Sequence, residues 1–103
     1  MKKVYSVFDI KAAVYHRPMF LDTHGLAIRS FEDACRAEGS PLAQHPEDYS
    51  LWYIGDFDEA TGVMQSAQPN YVQLSTASAA LANKGPKSID VEKLLKEESE
   101  VKA

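Results

Sequence analysis

The chain has 103 residues, of which 45% are hydrophobic and 25% charged, with one cysteine and a formal net charge of −4 at pH 7. These values fit one ordinary globular domain, long enough to build a core without metals or cross-links. They exclude an internal disulfide, and they argue against nucleic-acid binding driven by bulk charge.

Lys3 to Ile10 alternates, with Val4, Ser6, Phe8 and Ile10 on one side and Tyr5, Val7 and Asp9 on the other. Rich in β-branched and aromatic residues, it predicts a first strand. Lys11-Ala12-Ala13 is a turn. Val14 to Leu21 is a second extended run containing Pro18, which has no N–H for a ladder and so marks an edge strand or a bulge. The two runs predict a hairpin. Asp22-Thr23 offers an N-cap, and Leu26 to Glu38 has helical spacing, with Ala27, Phe31, Ala34, Cys35 and Glu38 on one side. Gly39 and Pro41 end the helix, which is expected at about residues 23–38. Pro41 to Asp48 reads as a loop.

Tyr49 to Phe57 is a third strand. The loop Asp58–Gly62, with Gly62 supplying a positive φ, leads to a fourth at Val63–Ala67. Gln68-Pro69-Asn70 interrupts, and Tyr71–Leu74 is a continuation or a short fifth strand. From Ser75 the chain is small and polar, Asn83–Lys87 is a breaker cluster, and Ser88–Ala103 has a weak helical pattern amid alternating Lys and Glu. The expected fold is α+β: a four-stranded antiparallel sheet in the order β-β-α-β-β. One helix lies on one face, and a charged tail is partly helical or disordered. The domain is set at 1–78 and the tail at 79–103. One helix leaves the other face uncovered, and at least some of Tyr5, Trp52 and Tyr53 should lie there.

No nucleophile with a partner base, glycine-rich phosphate loop or calcium-loop register is present, so no catalytic residue, cofactor or metal is expected. His16, His24 and His45 lack zinc-site spacing. Glu47, Asp48, Asp56, Asp58 and Glu59 read as caps and solubilising groups. Charge is uneven: residues 1–40 carry six Lys/Arg and five acids, whereas residues 41–70 carry five acids and no Lys or Arg. The apolar stretch after Met1-Lys2-Lys3 is too short for a signal peptide, and no run approaches a membrane span.

His45-Pro46-Glu47-Asp48-Tyr49, the apolar strand to Ile54-Gly55, Asp56-Phe57-Asp58 and Thr61-Gly62 together resemble the signature of a phage family. It is the small nonstructural protein of gokushoviruses, single-stranded-DNA phages of the Microviridae. The opening Val4-Tyr5-Ser6-Val7-Phe8-Asp9 and the helix segment Ala27-Ile28-Arg29 and Phe31 are similar as well, so the likeness spans about residues 4–75. The resemblance implies a non-capsid protein of the infected bacterium's cytoplasm, associated with DNA and acting in viral single-strand synthesis or packaging.

Two functions follow as expectations. The first is a non-enzymatic single-stranded-DNA-binding module. Lys2, Lys3, Lys11 and Arg17 would meet phosphates, and an aromatic such as Tyr5 or Trp52 would stack on bases. The second is an adaptor that binds the phage initiator, the procapsid or a host replication protein. An uncovered aromatic face also predicts a homodimer or higher oligomer.

Overall fold

The computed structural model describes residues 1–82. The expected tail helix at Ser88–Ala103 lies outside the described residues. The elements run β1 (Lys2–Asp9), β2 (Val14–Tyr15), β3 (Met19–Leu21), α1 (His24–Arg36), α2 (Pro41–Gln44), β4 (Tyr49–Phe57), β5 (Met64–Ser66), β6 (Val72–Thr76) and α3 (Ala77–Ala82), with a 3-10 turn at Pro46–Asp48.

The sheet is antiparallel and has six strands among the described residues instead of the expected four, because the second run divides at Pro18 and the segment expected as a continuation or short fifth strand at Tyr71–Leu74 is a separate strand, β6. The second run breaks around Pro18 into β2 and β3, and both pieces pair with β1, Phe8 opposite Tyr15 and Val4 opposite Phe20. The interruption expected at Gln68-Pro69-Asn70 separates β5 from β6, and both pair with β4. β1 and β4 are the central pair, with Tyr5 opposite Tyr53, Ser6 opposite Trp52 and Val4 opposite Gly55. The register steps between Val4 and Tyr5, leaving Ile54 as the bulged residue of β4.

Alternation along these strands divides the sheet into two faces. Lys3, Tyr5 and Val7 of β1 share the inner face with Tyr49, Leu51 and Tyr53 of β4, and the helices pack there. α1 forms where the sequence places it: Thr23 accepts from the Leu26 N–H at 3.2 Å, and Ala27, Phe31 and Cys35 are its buried stripe. Gly39 takes the positive φ of 75° past its end. Phe31, Tyr5, Leu51 and Cys35 are the largest fully buried side chains. Burying one such side chain contributes about 1.5–3 kcal/mol.

Two helical segments depart from expectation. Pro41–Gln44, read as a loop, is a single turn capped by Ser40, whose Oγ accepts from the Leu42 N–H at 3.1 Å, and Leu42 joins the core. Ala77–Ala82, on both sides of the expected boundary at residue 78, is α3, with Ala77 and Ala80 buried in the same core. Three helices, not one, therefore lie on the inner side. The outer face has no helix against it among the described residues.

Candidate nucleic-acid interface

The outer face carries Lys2, Val4, Ser6 and Phe8 from β1 and Ser50, Trp52 and Phe57 from β4, by register. Phe8 meets Tyr15 with ring centroids 4.6 Å apart, and Tyr15 meets Tyr71 edge-on at 6.1 Å. Phe20 and Phe57 form a second pair at 5.3 Å. Such tilted and edge-on pairs suit the ring quadrupole. Tyr15 and Phe20 remain 46% and 40% exposed, and Trp52, Phe8 and Tyr71 are half-buried. The Trp52 indole N–H donates to Ser50 Oγ at 2.8 Å, which fixes the ring while leaving its π-face unused by any hydrogen bond. The expectation of an aromatic outer face therefore holds for Trp52.

It fails for Tyr5 and Tyr53. Tyr5 is fully buried on the inner face, its hydroxyl sharing a 2.7 Å hydrogen bond with His24 Nδ1 and its ring 5.8 Å from that of Tyr53. Tyr53 donates to Asp56 Oδ1 at 2.9 Å. Burial, more than the neighbouring Asp56, pushes both phenols above the ordinary tyrosine range. Tyr5 is thus a core residue and cannot stack on a base. The physical reason is register: Tyr5 lies opposite Tyr53 and Ser6 opposite Trp52, so Tyr5 and Trp52 occupy opposite faces.

The basic residues do not form one strip. Lys2 pairs with Asp22 at 2.8 Å, a contact that raises the lysine pKa and lowers that of the exposed aspartate. Lys3 lies on the inner face opposite Asp56, and Asp58 and Glu59 follow in the next loop. Lys11 is at the other end of β1, roughly 27 Å away at ~3.3 Å per residue. There, Asp9 Oδ1 accepts from the Lys11 and Ala12 N–H groups and shapes the turn. Arg17 is exposed in the loop between β2 and β3. Arg29 and Arg36 sit on α1, and Arg36 faces Glu32 and Asp33 at 3.8 and 3.9 Å.

The acids of the sheet are segregated from this face. Every carboxylate on β1 and β4 falls on the inner face (Asp9, Asp56), and the outward residues of the other strands are uncharged. The acids gather at the Lys2 end, where Asp56, Asp58, Met1, Thr61, Val63 and Gln65 line a cleft of about 290 Å³. Asp58 is held by the Ala60 N–H at 2.9 Å, which lowers its pKa first among several such bonds.

His45, Glu47 and Asp48 bring their ligating atoms within 4.8 Å of one another, a grouping that the residue spacing did not suggest. The turn is largely exposed and offers three ligands, fewer than the four of a closed structural site. Cys35 is buried and its thiol is pushed up to about 11 by desolvation, so it is no ready nucleophile. No helix among the described residues is long and apolar enough to cross a membrane.

No curated protein and no solved structure matches the chain. The family model described as phage ORF5 protein matches residues 2–80, which takes in every strand and all but the end of α3. The chain belongs to the phage ORF5 protein family.

Proposed function

We propose that this is a non-enzymatic gokushovirus protein that binds single-stranded DNA in the host cytoplasm and acts in viral DNA replication or packaging. The observation that carries the reading is the outer sheet face, where Phe8, Tyr15, Trp52 and Tyr71 stand without a carboxylate among them. Bases stack on such rings without regard to sequence, at about 1–3 kcal/mol per base. Lys11 and Arg17, exposed in the loops flanking β2, supply phosphate contacts, and Lys2 and Lys3 contribute less because acids surround them. A net charge of −4 is compatible with this, since phosphates respond to the field within about a Debye length, ~8 Å at physiological salt. Association of two or more copies would multiply these few contacts by avidity.

A second reading is an adaptor for the phage initiator, the procapsid or a host replication protein. The acid-lined cleft at Asp56 and Asp58 favours it. Fluorescence anisotropy with a labelled single strand, repeated at several salt concentrations, separates the two. The DNA reading expects Lys11→Gln and Arg17→Gln to weaken binding and each to flatten the salt dependence by about 0.7. Trp52→Ala should weaken binding with little change in slope. No binding even at low salt would overturn the DNA reading in favour of the adaptor.

A further inference from the structure

A cleft of about 240 Å³ opens on the outer face, lined by Val4, Pro18, Ile54, Gly55, Met64, Gln65, Ser66 and Tyr71. We propose that it takes one unstacked nucleobase of a bound strand, with Tyr71 as the stacking surface and Ser66 as a polar contact. The inference rests on the single-stranded-DNA reading and adds a base-sized subsite to it. Size comes first. A cavity of about 150 Å³ accommodates a benzene ring, and drug-sized ligands need about 300 Å³ or more, so this space suits a single purine or pyrimidine.

Chemistry comes second. None of the lining residues is an acid, lysine, arginine or histidine, so a phosphate would find no counter-charge there, whereas a neutral heterocycle needs none. Val4, Pro18, Ile54 and Met64 give apolar walls. Ser66 Oγ accepts the Gln68 N–H at 3.0 Å, which leaves its own O–H proton available to an acceptor on the base edge. Extruded bases are held elsewhere by this combination of apolar or aromatic faces and a few edge hydrogen bonds.

Position comes third. The Tyr71 ring is set edge-on against Tyr15, so the cleft is continuous with the exposed aromatic surface. Arg17 is exposed and directly precedes the lining residue Pro18 in the chain, so a cation able to meet the phosphate of a captured nucleotide is close in sequence to the cleft.

The test is a pair of titrations of the full chain, followed by amide NMR. One uses thymidine or deoxyadenosine at millimolar concentration, the other a short single-stranded oligonucleotide. Both ligands should shift the Gln65, Ser66 and Tyr71 amides. Ser66→Phe, which fills the cleft, should abolish the nucleoside shifts and weaken the oligonucleotide about fivefold or more. Tyr71→Leu, which removes the ring without filling the space, should do the same and guards against a folding artefact. If the oligonucleotide binds but Ser66 and Tyr71 stay unmoved and Ser66→Phe binds normally, the cleft proposal is overturned while the DNA reading stands. If no oligonucleotide binds, yet nucleosides shift the cleft and Ser66→Phe abolishes that shift, the cleft is a base site and the DNA reading falls. Neither response would overturn both.

Discussion

Gly55→Ala tests whether β5 is held against β4 as closely as described. A Cβ at Gly55 would run into the Gln65 carbonyl oxygen, with the Gln65 carbonyl carbon at 3.3 Å and Ser66 Cα at 3.4 Å. These are backbone atoms of the partner strand, so no side chain can swing away. Overpacking of this kind costs about 1–3 kcal/mol. If β5 moves off to relieve it, the three residue pairs of β4 and β5 weaken as well, at about 0.5–1.5 kcal/mol for each hydrogen bond lost. With about 4–8 °C per kcal/mol for a domain of this size, Tm should fall by roughly 10 °C. Gly25→Ala is the matched control. Its new Cβ would meet only Thr23 Oγ1 at 3.9 Å, within α1, so the higher helix propensity of alanine should raise stability by about 0.5–1 kcal/mol. The assay is thermal and urea unfolding by circular dichroism. Opposite signs for the same chemical change support the strand contact. A Gly55→Ala protein that melts with the wild type refutes it.

Ala13 holds a positive φ of 59° in the turn after β1, so Ala13→Gly should raise Tm by several degrees in a melting scan, the relieved strain being about 1 kcal/mol. Cys35 should stay unreactive to a thiol reagent at neutral pH until urea unfolds the chain, because it is buried and its thiol is pushed up to about 11; rapid labelling of the folded protein would contradict that packing. The phenols of buried Tyr5 and half-buried Tyr53 have folded-state pKa values above the ordinary tyrosine value of 10.0. Their contribution is therefore fully present below about pH 10 and lost as pH rises through the higher folded values, and urea midpoints should fall in that window. Tyr5→Phe should lower stability at neutral pH by about 1 kcal/mol, from loss of the His24 hydrogen bond, and should blunt that alkaline fall.

α1 was legible because local signals agree along it: a Thr23 cap, buried Ala27, Phe31 and Cys35 at helical spacing, and Gly39 beyond its end. Pro18 marked the second run as irregular, expected as an edge strand or a bulge where the chain in fact breaks between β2 and β3, and Gly62 marked its loop, since each acts through its own backbone. α3 was not legible. Its residues are small and lack a strong period, and Ala77 and Ala80 are buried only because the tertiary core receives them. The face of Tyr5 was equally hidden, because it depends on which residue of β4 lies opposite, and a bulge at Ile54 shifts that register within the strand. The clustering of Lys2, Lys3 and Lys11 in sequence did not become clustering in space. An extended strand spreads neighbours along its length and sends Lys2 and Lys3 to opposite faces. The outer face, by contrast, was foreseeable from Trp52 and the aromatic content of β4.

The chain has a single tryptophan, and it lies on the outer face proposed to bind DNA. Its intrinsic fluorescence therefore reports on that face alone. Titration with a short single-stranded oligonucleotide at low salt should quench Trp52 emission saturably as bases stack nearby, and added salt should reverse the quenching. Saturable anisotropy of the labelled strand with Trp52 emission unchanged would place binding elsewhere on the protein. No response in either signal would contradict DNA binding itself.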